Sequence, residues 1–146
     1  MSCNTLPGIA RIEFIAERGL EIIPRMYLIP GSEVYAFGDF QEIDLVSLAS
    51  CRTVPRRTDN GLTYTTTIEA ETTSDEFSEL HNRLQNNYHA YRITDIYRNQ
   101  YLVGTNKKPF PEITFEPAID KTPSGQRVTP FVITLTSTLP PLKIKV

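Results

Sequence analysis

The sequence predicts an α+β fold: a mostly antiparallel β-sandwich, or a barrel-like pair of sheets, with one short α-helix packed across it. Three observations carry this. Several segments alternate apolar and polar residues with period two, most strictly LTYTTTIEAET at 62–72. One stretch only, residues 73–87, repeats its apolar residues at the spacing of an amphipathic helix. The order is strands, helix, strands, which suits packed antiparallel sheets with a helix laid on them.

Taken in order, ARIEFIAE (10–17) sets Ile12, Phe14 and Ala16 on one face and Arg11, Glu13 and Ile15 on the other, a half-buried strand. LEIIP is a short strand stopped by Pro24, and Pro30-Gly31 marks a turn. In 32–54, Val34 and Tyr35 read as strand and Gly38-Asp39 as a turn or bulge. Residues 42–51 fit strand or helix, and strands are the expectation adopted. PRRTDNG (55–61) reads as a loop with a strong Asn60-Gly61 turn signal.

The segment 62–72 then places Leu62, Tyr64, Thr66, Ile68 and Ala70 on one face, against Thr63, Thr65, Thr67, Glu69 and Glu71. β-branched and aromatic residues at this alternation suit a pleated surface. The helix follows. Thr73 with Glu76 fits a capping box, and Phe77, Leu80 and Leu84 form its apolar stripe. Glu79 and Arg83 are spaced for an ion pair, and Asn86-Asn87 suits a left-handed exit.

YRITDIYRNQYLVGT (91–105) reads as a β-hairpin whose tip is Arg98-Asn99-Gln100, with Tyr97 and Tyr101 as cross-strand partners. EITFEPAID (112–120) is an edge or bulged strand, because Pro117 cannot donate to a ladder. VTPFVITLTSTL (128–139) closes the domain, with Phe131, Ile133, Leu135 and Leu139 on one face. Residues 1–146 form a single domain with extended arms at 1–8 and 140–146. Pro140-Pro141 stiffens the second arm, and LKIKV alternates so that Leu142 and Ile144 are available to another subunit's sheet.

Composition narrows the function. The chain has 146 residues, 40% hydrophobic and 22% charged, with a net charge of −2. That is ordinary for a globular domain and lacks the basic footprint of a nucleic-acid binder. No apolar run nears the ~20 residues that span a bilayer, and the N-terminal residues lack the pattern of a secretory signal. Cys3 and Cys51 are expected as free thiols in a reducing compartment, which fits synthesis in a cytoplasm.

Signatures of chemistry are sparse. His81 falls at the margin of the helix stripe, and His89 opens a strand, pointing opposite to Tyr88. The two cysteines and two histidines lack zinc-ligand spacing, and no GxSxG, HExxH, P-loop or GxGxxG occurs. Ser78 and His81 are neighbours on a helix rather than a catalytic pair. Asp39, Glu42 and Asp44 are the best candidates for binding a cation or for acid–base work, though a solvated face explains them as well. No catalytic residue, cofactor or metal is expected. The chain has seven Tyr and no Trp, which favours protein contacts over sugar stacking. Any single tyrosine fits a core position equally well.

The segments YTTTIEAET, SDEFSELHNRL, YRITDIYRNQYLVGT, PEITFEPAID, PSGQR and FVITLTSTLPP, spanning about 61–142, resemble small virion proteins of tailed phages and prophages of the Bacteroidetes. The hairpin departs from that pattern, with Arg98-Asn99-Gln100 where those proteins tend to have Asp-Asn-Gly, and the first 60 residues do not share in it. The resemblance implies a tail-tube-like fold and a non-enzymatic structural role. The subunit would form a homo-oligomeric ring in the tail or head–tail neck, as tail tube, tail terminator or connector. Its partners would be copies of itself and other tail or neck proteins, in virions assembled in the host cytoplasm. Tyr97, Arg98, Asn99, Gln100, Tyr101, Leu142 and Ile144 are then the candidate interface residues. The alternatives are a soluble β-rich adhesion or glycan-binding module and a small monomeric bacterial accessory protein.

Overall fold

The alternating segments pair into two sheets in the computed structural model, which describes residues 4–24, 28–73, 79–117, 119–120 and 127–145. The strands in chain order are β1 (Asn4–Thr5), β2 (Ile9–Ala16), β3 (Glu21–Ile23), β4 (Glu33–Phe37), β5 (Gln41–Ile43), β6 (Ser50–Thr58) and β7 (Gly61–Thr72). After the helix α1 (Glu79–Asn86) come β8 (His89–Asp95), β9 (Gln100–Val103), β10 (Glu112–Phe115), β11 (Ile119–Asp120), β12 (Arg127–Ser137) and β13 (Leu142–Ile144). One sheet runs β1-β6-β7-β12-β10, with β11 beside β12. The other runs β3-β4-β13-β9-β8-β2-β5. The expected α+β architecture is the one observed.

The inner faces make the main core. Register aligns Cys51, Ile68, Ile133 and Ile113 in one row across four strands of the first sheet, and Ala70, Phe131 and Phe115 in another. Against them pack Ile12, Phe14, Tyr91, Ile93 and Val103 from the second sheet. Alternation therefore chose the buried face of β7 and β12 correctly, whereas β2, expected to be half-buried, also buries Glu13 and Ile15 on its other face and leaves Ala16 exposed. Cys51 is a free thiol in this core, pushed by burial up to about 12 and chemically quiet. Cys3 lies outside the described residues.

The seven-stranded sheet is buried on its other face too. Ile15, Ile22, Val34, Ala90, Leu102, Leu142 and Ile144 cluster there under Leu28, Phe40 and Leu139. The buried Glu13 and Arg92 join this face through a bidentate pair at 3.0 and 2.7 Å, with the guanidinium 4.0 Å above the Phe40 ring. Paired and stacked, the charges tolerate their low exposure.

Several expectations need correction. Neither expected arm is free over its described residues. β1 pairs with β6 through Asn4↔Thr53 and Thr5↔Arg52. β13 lies inside the second sheet, parallel to β4 and antiparallel to β9, with Leu142 and Ile144 buried. These two residues belong to the protomer's own core and are withdrawn as interface candidates. β6 runs through Pro55 to Thr58, so the loop expected from 55 is strand. Beyond Thr53, β6 has a described neighbour on one side only, and an edge tolerates a missing N–H.

Leu84 is buried as expected of the helix stripe. Glu76, Phe77 and Ser78, and the side chains of Glu79 and Leu80, lie outside the described residues. His81 is fully buried, not marginal, its ring stacked 3.8 Å from that of Phe115. The helix stops without a left-handed residue. Instead the side-chain amides of Asn86 and Asn87 donate to the carbonyls of Asn82 and Arg83. Ile119, expected in register with Ile113, is exposed.

Gly104, which ends the YLVG run, has φ +87°, and a Cβ there would sit 2.7 Å from Pro111. Gly38, with φ +150°, lets its turn cross Gly19, whose carbonyl oxygen would meet a Cβ at 2.5 Å.

Because Leu142 fills the outer cluster from an interior strand, Leu142→Ala is expected to destabilise the chain by about 2–5 kcal/mol in urea unfolding. A cost below about 0.5 kcal/mol would mean that β13 is an appended arm after all.

Candidate subunit interface

The hairpin between β8 and β9 closes differently from its sequence reading. The ladder runs Tyr91↔Val103, Arg92↔Leu102, Ile93↔Tyr101 and Thr94↔Gln100. Gln100 is therefore strand, and the turn is Ile96-Tyr97-Arg98-Asn99. Tyr101 faces Ile93, so the expected Tyr97–Tyr101 pair does not form. Tyr101 is half-buried against the main core, and burial, with the Asp95 charge second, raises its phenol above the usual value.

Asp95 builds the turn. Its buried carboxylate accepts hydrogen bonds from the Tyr97 and Asn99 N–H groups at 2.8 and 2.9 Å, and its backbone N–H donates to the Asn99 carbonyl at 3.0 Å. The Arg98 N–H donates to the Asp95 carbonyl at 3.1 Å. An aspartate that bonds backbone two residues on is the Asx arrangement, and it satisfies donors no strand reaches. Arg98 takes the left-handed conformation, φ +68°, an uncommon choice for a residue with a Cβ. The Ile96 N–H donates to the Gly8 carbonyl at 3.0 Å, fastening the turn to the segment before β2. This protrusion is held, not loose.

At the turn Ile96 is 48% exposed and Tyr97 69%, and Leu48, 60% exposed, lies close to Ile96. Gly8 is between the two: a Cβ there would be 2.9 Å from Leu48 and 3.7 Å from Ile96. Arg98, Asn99 and Gln100 border a hollow of about 410 Å³ whose remaining walls are Glu33, Tyr35, Lys143, Ile144 and Lys145. Three cations thus stand around one carboxylate.

Of the predicted interface residues, the structure brings Tyr97, Arg98, Asn99 and Gln100 to one end, with Tyr101 set inward from it. Leu48 and Ile96 were missed, since nothing in a linear pattern separates an exposed aliphatic at a turn from a buried one. Asp95 was missed too, although an aspartate before a polar turn is a legible Asx signal.

The acidic candidates do not converge. Glu42 lies 3.4 Å from Arg11, and Asp39 borders a separate hollow beside Arg83 and His89. Among the described residues, no group of three or more His, Cys, Asp or Glu is placed to hold a metal ion.

Asp95→Ala is expected to leave the Tyr97 and Asn99 N–H groups without their acceptor, costing about 0.5–1.5 kcal/mol per lost hydrogen bond. Thermal unfolding gives the cost, and amide exchange in 95–100 should quicken; slow exchange there would show that the turn does not depend on Asp95. In comparisons with protein-family models, curated proteins and solved structures, the chain matches none of them.

Proposed function

We propose that this protein is a non-enzymatic virion structural subunit of a tailed phage or prophage. It assembles with copies of itself into a ring in the tail or head–tail neck, as tail tube, terminator or connector, and contacts other tail or neck proteins there. The observation that carries this is the hairpin turn, which Asp95 holds in place and which exposes Tyr97, Arg98 and, next to the exposed Leu48, Ile96. Exposed apolar residues grouped with an aromatic and an arginine have the composition of an interface centre. Holding the turn through Asp95 lowers the ordering cost of using it in a contact. The resemblance of the strand, helix and hairpin segments to the sequence pattern of phage virion proteins is what motivates the biological setting of this reading.

A second reading, glycan binding, is favoured by Tyr35 and Phe37. Their exposed rings lie within 13° of parallel with centroids 6.3 Å apart, a small platform. Against it, the Lys145 ammonium already stands 5.6 Å from the Tyr35 ring centroid. Soluble oligosaccharides titrated against the chain distinguish the two readings, since a ring subunit gives no saturable binding.

Tyr97→Ser and Arg98→Glu test the ring reading directly. Both side chains point away from the core, so both variants are expected to melt like the parent. Each should weaken self-association by more than about 1 kcal/mol in sedimentation velocity, as truncation of an interface anchor does. Unchanged association would reduce the turn to a solvated hairpin end.

A further inference from the structure

His89 is a titratable side chain enclosed where three elements meet. α1 ends at Asn86, β8 begins at His89, and His89 lies directly opposite Ala16 at the end of β2. The residue is only 4% exposed. The Phe14 ring meets its imidazole edge-on, with centroids 5.5 Å apart. Nδ1 lies 3.1 Å from the Asn87 carbonyl oxygen, so that nitrogen carries the hydrogen of the neutral ring and donates it. Nε2 is then the nitrogen still open to a proton.

The same few residues tie down the end of the helix. The Asn87 side-chain amide donates to the Arg83 carbonyl at 3.0 Å, and the Glu17 N–H donates to the Tyr88 carbonyl at 3.3 Å. Arg83 is held at this corner, its guanidinium 5.4 Å from the Phe14 ring centroid and donating to Gln41 Oε1 at 2.8 Å.

Charges of both signs face the imidazole. Arg83 comes from α1, and Glu17, with Arg18 3.6 Å from its carboxylate, comes from the turn Glu17–Gly19. Asp39, from the β4–β5 connection, lines a hollow of about 320 Å³ together with Arg83 and His89. Asp39 is exposed, so solvent screens its charge. Burial is the largest influence and holds the imidazole below its usual value. The Asn87 carbonyl opposes this, the Arg83 charge adds to it, and the Glu17 charge opposes it.

We infer that His89 is an acid-sensitive latch: a proton added at Nε2 makes a buried imidazolium beside Arg83, and the end of α1 with the start of β8 opens from β2 to hydrate it. The latch belongs to the single chain and holds whether or not that chain forms a ring. Its sign follows from linkage. An unfolded histidine takes its proton near pH 6.5, whereas the folded His89 takes it only at lower pH. Between those values the unfolded chain binds more protons, so the contribution to stability is full above about pH 6.5 and is lost as pH falls. One proton changes the opening constant by at most about tenfold per pH unit.

Amide hydrogen exchange of the full-length chain tests this at about pH 7.5 and about pH 5.5, on either side of the ordinary histidine value. Rates are expressed as protection relative to an unfolded chain, which removes the intrinsic pH dependence of exchange. Protection across residues 83–90 should fall at the lower pH, while β7 and β12 keep theirs. His89→Phe keeps a ring against Phe14 but cannot titrate, and should abolish that selective fall; His81→Phe should leave it in place. Protection that is unchanged at 83–90, that falls evenly throughout the chain, or that falls equally in His89→Phe overturns the latch. Should His89→Phe not fold, the imidazole signals of the parent chain decide, with His89 assigned through its backbone. Titration below the ordinary value together with the loss of protection supports the latch, and titration at or above that value refutes it.

Discussion

The insertion of β13 between β4 and β9 is the interaction on which the seven-stranded sheet depends. β3 and β4 come from the first quarter of the chain, and β9 and β8 from beyond its middle. Among the described strands, only β13 hydrogen-bonds to both groups, through Lys143↔Glu33, Ile144↔Val34, Leu142↔Leu102 and Lys143↔Tyr101. Its side chains do the same work as its backbone. Leu142 and Ile144 join Ile22 and Val34 to Leu102, Ala90 and Ile15 in one apolar cluster. The parallel pairing with β4 closes the chain from Glu33 to Lys143 into a loop. Such non-local contacts slow folding, because loop entropy is lost before the pairing returns any stability.

The same insertion shapes the surface proposed above for assembly. β13 carries Lys143 and Lys145 to the flank of the β8–β9 turn, so that Arg98 and two lysines meet around one hollow. Asp95 holds the turn on the other side of that relationship. Its carboxylate takes two backbone donors at the moment the chain reverses, and Arg98 is left in a conformation that aims it outward. A rigid turn beside an interior strand gives a contact surface whose geometry is inherited from the core. Stability and the proposed contact thus meet on one strand, though the buried Leu142 and Ile144 serve only the first.

Much of the fold was legible because period-two alternation reports which side chains share a face. It identified Ile12 with Phe14, Thr66 with Ile68 and Ala70, and Phe131 with Ile133 and Leu135, all of which point inward. Alternation does not report a strand's neighbours. LKIKV read correctly as a strand, but whether it joins its own sheet or another subunit's is decided by long-range packing. Pro55 suggested a break, yet an open edge accommodates it. His81 sat at the border of a helical stripe and proved buried, because β10 brings Phe115 over it from far along the chain. At the hairpin, three polar residues suggested the tip, while the Asp95 hydrogen bonds and the left-handed Arg98 moved the reversal two residues earlier. The exposed Leu48 and Ile96 come from segments that only the folded sheet brings together.

Native mass spectrometry of the purified full-length chain, over a range of concentrations and at low and high salt, measures the central claim most directly. A closed ring predicts one stoichiometry above two that persists across the concentrations sampled. A 16.6 kDa monomer at every concentration would contradict it.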